Sequence, residues 1–467
     1  MKRSKRLHIL LGVLAAVGIV TFAVTQYEEK QEEIEASGEV VLEIDPAAVQ
    51  TLSWEYDAET LAFHKDGTWV YDTDEAFPVD EERIDELLGV FEAFSAAFII
   101  EDVTDYSQYG LDDPVCTIGI STGDTDYEIQ LGDFSTMDSQ RYVSIGDGNV
   151  YLATADPLDY FDAALRDMID NDEAPDFGTV EAIRFDGDQT CQIAYQEYTE
   201  DSSYTYCSND VYFIQQEDAM LPLDTSCVEG YLDSISGLSL TDYVTYNVTE
   251  EELAEYGLDA PELSVTVTYV PEDSEQTAEF TLHISRDPDE QAAAEAEDGE
   301  EDETEEEITA YARVGESQIV YQITGDSYEA LMAAGYDDLR HYEVLTADFA
   351  DVTGLDISLE GESYTITAEG SGEDKTFYYG EEELDIADLQ SALENMGAAS
   401  FTDEEPSQKQ EISITVHLDN EAHPTVQIDL YRYDGEQCLA VLDGTPTSLV
   451  PRDMVVDLVE AVNAIVL

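Results

Sequence analysis

Positive charge is what this sequence has least of. Its 467 residues hold 17 Lys and Arg against 109 Asp and Glu, a formal net charge of -92. Such a surface repels phosphate backbones, which excludes nucleic acid as a partner. An anionic lipid surface repels it too. It attracts counter-ions, basic peptides and cationic polymers without selecting among them, so weak non-specific cation binding is the expectation. Cysteine is scarce as well: Cys116, Cys191, Cys207, Cys227 and Cys438. No C-x-x-C pair occurs among them, which excludes a zinc ribbon or a thioredoxin-like site. Cys191, Cys207 and Cys227 fall in one stretch, where a single disulfide outside the cell and small buried thiols are both open.

Chemical motifs are absent in the same way. The six histidines, His8, His64, His283, His341, His417 and His423, form no H-E-x-x-H and no pair at helical ligand spacing. His417 and His423 flank a turn and can meet across it, or stay exposed there. There is no phosphate-binding Walker loop, no G-x-G-x-x-G and no calcium loop of alternating aspartates with a distal glutamate. "GISTG", Gly119–Gly123, matches the hydrolase pattern G-x-S-x-G, but that pattern needs a strand feeding a helix. Here Ser121 ends one strand-like run and "DTDYEIQL" begins another, so a hairpin is expected. Carboxylates are too abundant for sequence to single out a catalytic pair. No catalytic, cofactor-binding or metal-binding residue is assigned, and an enzyme is not expected.

What is present divides the chain. Residues 1–27 begin with "MKRSKR" and continue as "HILLGVLAAVGIVTFAVT", His8 to Thr25, with no formal charge if His8 is neutral. As a helix this run is roughly 27 Å long, about the thickness of a bilayer core. It exceeds the usual apolar core of a signal peptide, and no small-x-small cleavage site follows. An uncleaved transmembrane anchor is therefore preferred to a signal peptide. The basic flank places the N-terminus in the cytoplasm and the bulk of the chain outside. Residues 28–38 form an acidic linker. The remainder is long enough for about three domains, and with 43% hydrophobic residues the chain has enough to build cores.

The remainder also repeats itself. "YGLDDPVCTIGIST" from Tyr109 parallels "YGLDAPELSVTVTY" from Tyr256, and 141–165 parallels 310–334. Each reads strand, tight turn, strand, short helix. A matched helix precedes each. Asp80 leads Ile84, Leu87, Leu88 and Phe91, and Asp224 leads Val228, Tyr231, Leu232 and Ile235. A third copy has Asp385 ahead of Leu389, Ala392, Leu393 and Met396. An aspartate accepting from free N–H groups starts a helix, and the apolar spacing gives it one face to bury. Three tandem related units follow, 39–171, 172–343 and 344–467, the third diverged and without the YGL element. Each is expected to be α+β, a mostly antiparallel sheet with two short helices. The second carries an insertion, Asp287–Glu307, with 13 acidic residues, expected to be a solvated loop at a hairpin tip.

The repeated hexapeptide reads as architecture. Thr249 and Glu252 form a capping box for about two helical turns ending at Tyr256. Gly257 takes the left-handed position, Leu258 seals the cap, and Pro261 launches the next strand. Tyr109, Gly110, Leu111 and Pro114 do the same in the first copy, behind Thr104 or Asp105. The YGL-x-x-P turn between helix and hairpin, its flanking strands and the N-terminal anchor resemble a bacterial family, the domain of unknown function 4340. That resemblance implies an envelope protein, with some members encoded beside ABC-type transport systems, and carries no catalytic residues. The expected function is a membrane-anchored extracytoplasmic binding or accessory protein with a membrane-protein partner, such as an ABC-type permease. A passive cell-surface spacer is the alternative.

Overall fold

The computed structural model describes residues 38–466 apart from 188–189, 200–201, 217–218, 273, 297–307 and 371–374. The anchor expected at His8–Thr25 lies outside the described residues, and among those described no helix is long and apolar enough to cross a membrane. Two compact units make up the chain, Met1–Asn171 and Asp172–Leu467. The first holds one nine-stranded antiparallel sheet, the second holds two. The architecture is α+β with three sheet modules.

Alternation creates each sheet. Leu263–Val270 reads buried, half-buried, buried along its whole length, as a strand with one covered face must. The strand that starts each module's meander, Thr51–Tyr56, Thr179–Asp186 or Val352–Leu359, lies inside its sheet. On one side of it a meander of hairpins runs outward. On the other it pairs with the second strand after the helix that ends the meander: Cys116–Ser121, Leu263–Val270 or Gln410–Leu418. The second and third sheets share one strand order. The first has one meander strand fewer and makes up its number with Glu39–Leu42, added at the opposite edge against Phe94–Ile100. The third module therefore keeps the complete topology although it lacks the YGL turn. Its residues 402–409 form no helix on the way to Gln410–Leu418.

Each meander hands over to a helix: Glu81–Gly89, Thr225–Ser236 or Ala387–Glu394. The aspartates act at their starts, with one displaced. Asp80 accepts from the Arg83 N–H at 3.0 Å and Asp224 from the Ser226 N–H at 2.8 Å. Asp385 stands one place further out and accepts from the Ala387 N–H at 3.2 Å, leaving Ile386 at the cap position. Each helix packs against a C-terminal one, Leu158–Phe161, Gly325–Met332 or Arg452–Val466. In the third module Leu389, Leu393 and Met396 meet Val455, Leu458 and Val462 over the inward residues of the sheet, such as Leu355, Ile414 and Ile428. In the first, Trp54 stacks on Phe63, meets Phe161 edge-on and sends its indole N–H to the Ala163 carbonyl.

The acidic insertion differs from the expected loop. Its first part, Pro288–Ala296, is a helix packed on the strand Ala278–Arg286. Asp287 caps it, accepting from the N–H groups of Asp289 and Glu290. Glu290 accepts from the Thr309 N–H, and the Gln291 amide donates to Glu262. The charge count of the run concealed this local stitching. All five cysteines are free thiols. Burial pushes Cys116 and Cys207 up to about 12, the state of inert core thiols.

Candidate functional site

The two YGL turns superpose in kind. Tyr106–Tyr109 and Glu252–Tyr256 are 3-10 helices, shorter than the two helical turns expected. Gly110 (φ 68°) and Gly257 (φ 69°) close them in the left-handed conformation. The Leu111 N–H returns to the Tyr106 carbonyl and the Leu258 N–H to the Leu253 carbonyl, and both leucines are buried. Only half of the capping box forms. Glu252 accepts from the Thr249 N–H at 2.9 Å, but the Thr249 hydroxyl donates to the same carboxylate instead of accepting from the helix. In the first copy Asp105 accepts from the Ser107 N–H. The tyrosines pack on equivalent partners, Tyr109 on Tyr142 and Tyr256 on Tyr311, with ring centroids 5.0 and 5.1 Å apart. Pro114 and Pro261 each stand two residues before a strand, Cys116–Ser121 and Leu263–Val270. Every one of these residues serves the turn.

The weaker sequence motifs also resolve into local structure. Ser121 ends its strand in a hairpin and donates to Asp126 at 2.7 Å, with no helix behind it. His417 bonds Asp356 on the adjacent strand, while His423 sets its ring against Tyr206.

The most site-like arrangement lies inside the second compact unit, where its first sheet module meets its second. The helix Tyr336–Leu339 ends at Arg340, and the chain then runs extended. Glu343 bridges to Gly397, the Val344 N–H bonds the Met396 carbonyl, and the Ala398 N–H bonds the Tyr342 carbonyl. This ties the connecting segment to the third module. A cleft of about 180 Å³ opens here, lined by Tyr206, Tyr336, Arg340, His341, Tyr342 and Phe401 among others. The Arg340 guanidinium lies between two rings, 4.6 Å from the centroid of Tyr336 and 4.2 Å from that of Phe401. Phe401 also meets Tyr342, which is 47% exposed. Tyr206 is partly buried and bonds Thr346, and its burial outweighs that bond and raises its pKa.

Beside the cleft, His341 is surrounded by carboxylates. Its Nε2 lies 2.8 Å from Oδ1 of Asp210, a residue only 1% exposed, whose Oδ2 accepts from the Thr205 hydroxyl at 2.5 Å. Its Nδ1 faces Oδ2 of Asp224 at 3.7 Å and Oε2 of Glu343 at 3.8 Å. Burial pulls the imidazole pKa down, but the bond to Asp210 and the three negative charges outweigh it and hold the value above the ordinary one. Asp224 spends Oδ1 on the cap of its helix, accepting from the N–H and hydroxyl of Ser226. Burial first, then the charge of Asp224, raises the thiol pKa of the neighbouring Cys227, whose side chain bonds Asp224 and Ser226. Among the described residues, Asp224, His341 and Glu343 form the one group of three whose ligand atoms, all within 4.8 Å of one another, fit a metal ion.

Sequence reasoning missed this cluster because 131 positions separate His341 from Asp210. One signal was present. In an extended segment His341 and Glu343 point to the same side, two residues apart.

Three related antiparallel sheet modules, two of them carrying the same glycine-capped turn, define a modular α+β repeat protein, and the second compact unit adds an aromatic cleft. Residues 69–205 and 215–413 match the model of the family described as a domain of unknown function (DUF4340), and the chain belongs to that family. Each match starts in the meander of one sheet and ends inside the next, so the family's unit is offset from the sheet modules. No curated protein and no solved structure matches the chain.

Proposed function

We propose that this protein is a non-enzymatic binding or accessory module, held outside the membrane by the segment His8–Thr25, that grips a multi-spanning membrane protein of the ABC type. The observation that carries this reading is the cleft formed by Tyr206, Tyr336, Arg340, Tyr342 and Phe401. Tyrosine and arginine supply a disproportionate share of binding energy at protein interfaces. Arg340, fixed between two rings, has already lost the rotamer freedom that an arginine gives up on binding. It is also one of only 17 basic residues in a chain of net charge -92, so it marks this cleft apart from its surroundings.

Mild detergent extraction of cells followed by affinity capture tests the reading. Reproducible co-purification of a multi-spanning membrane protein, lost in Arg340→Ala with Phe401→Ala, supports it. Recovery of the chain alone, under conditions that keep other membrane complexes intact, favours the passive spacer, a role that suits the heavily solvated acidic surface.

A further inference from the structure

We infer that Asp224, His341 and Glu343 form a binding site for a divalent transition cation of the zinc class, with Asp210 as the carboxylate that orients the histidine. The inference stands apart from the proposed partner and needs none.

The buried Asp210 accepts on both oxygens, from Thr205 and from His341 Nε2. That holds a proton on Nε2, so a cation that displaces the proton from Nδ1 meets a lone pair facing Asp224 and Glu343. A metal-binding imidazole typically donates its other N–H to a carboxylate in this way. The spacing around Nδ1 then decides between two readings. At 3.7 and 3.8 Å the carboxylate oxygens are too far for hydrogen bonds to an Nδ1–H. Two ligands bonded to one zinc-class ion at about 2.0–2.2 Å stand roughly 3.3–3.6 Å apart at tetrahedral angles. The two separations from Nδ1 need contraction by only a few tenths of an ångström, and the two carboxylate oxygens, which lie within 4.8 Å of each other, close the rest as Glu343 moves. Asp224 caps its helix with Oδ1 and, although Cys227 also bonds this carboxylate, its Oδ2 faces the histidine. Glu343 is half exposed, so its side chain can shift, and it leaves a solvent-facing position for water as a fourth ligand.

Charge argues the same way. Three carboxylates crowd one imidazole; a second proton on the ring reduces their charge only to -2, whereas a dication that takes the place of that proton on Nδ1 reduces it to -1. One nitrogen with two carboxylate oxygens selects a borderline transition ion over calcium or magnesium, which prefer all-oxygen sites. Because Asp224 starts a helix of the second module and Glu343 bridges to the third, the ion would also clamp the two modules together.

The test uses the full-length chain in detergent, stripped with a chelator, then dialysed against Zn²⁺ in excess Ca²⁺ that saturates the diffuse acidic surface. The expected result is one tightly held zinc equivalent and a zinc-dependent rise in melting temperature. Affinity at that site should fall at least about tenfold in His341→Ala and in Glu343→Gln. His417→Ala, which removes a different Asp-paired histidine, should retain it. Equal zinc binding in the wild type and Glu343→Gln overturns the inference, as does the absence of any equivalent tighter than the diffuse background. The glutamine variant keeps its shape and half exposure, so it decides the matter even if His341→Ala fails to fold.

Discussion

The two left-handed glycines look interchangeable in sequence and are not so in space. A Cβ on Gly110 would lie 2.8 Å from the Asp133 backbone nitrogen and 2.6 Å from its side chain. On Gly257 the nearest atom is the Ser285 Cβ at 3.1 Å. Both substitutions incur the strain of a positive φ, about 1 kcal/mol. Gly110→Ala adds a backbone clash, so chemical denaturation should show the larger loss there. Equal losses would mean that the strand carrying Asp133 yields freely. His283 offers a second residue-level prediction. Burial first, then the Arg313 charge, lowers its pKa below the ordinary 6.5, and its Nδ1 lies 2.8 Å from the Ser264 hydroxyl. The unfolded chain therefore takes up this proton before the folded one does. Stability from His283 is full above the unfolded value and is lost as pH falls toward the folded value. Between about pH 7.5 and about pH 5.5, His283→Gln should lose less stability than the wild type. A parallel decline in the two would contradict the assignment.

At the scale of elements, local signals were legible where they were strictly local. Alternation marked the strands, and the spacing of Ile84, Leu87 and Leu88 marked the buried face of a helix. The helix at Pro288–Ala296 was missed because charge repulsion was weighed and capping was not. Asp287 sits before Pro288, a good first helical residue, and its side chain holds both the helix start and the Tyr311 hydroxyl, 3.1 Å away. Burial, then that bond, raises Tyr311 to about 12, so the phenol stays a donor at neutral pH. Asp287→Ala should therefore cost about 1 kcal/mol in a melting experiment, despite removing a charge from a repulsive cluster. A neutral or stabilising result would return the segment to the solvated-loop reading.

At the scale of the molecule, the repeat was readable because two copies share a hexapeptide. The third module's full strand order was not, since its equivalence lies in hydrogen bonding and not in shared residues. The cleft was illegible for the same reason: Tyr206, Tyr336 and Phe401 are far apart in the chain and meet only when two modules pack. Net charge fixed what the surface repels but said nothing of where it binds. The most direct measurement is site-specific photo-crosslinking in intact cells, with the reactive side chain placed at Tyr342 in the cleft or at Met137, which is 90% exposed on the first module. The account predicts that position 342 captures one multi-spanning membrane protein and that position 137 does not. Capture of that protein at 137 alone, or of none from either position, would contradict it.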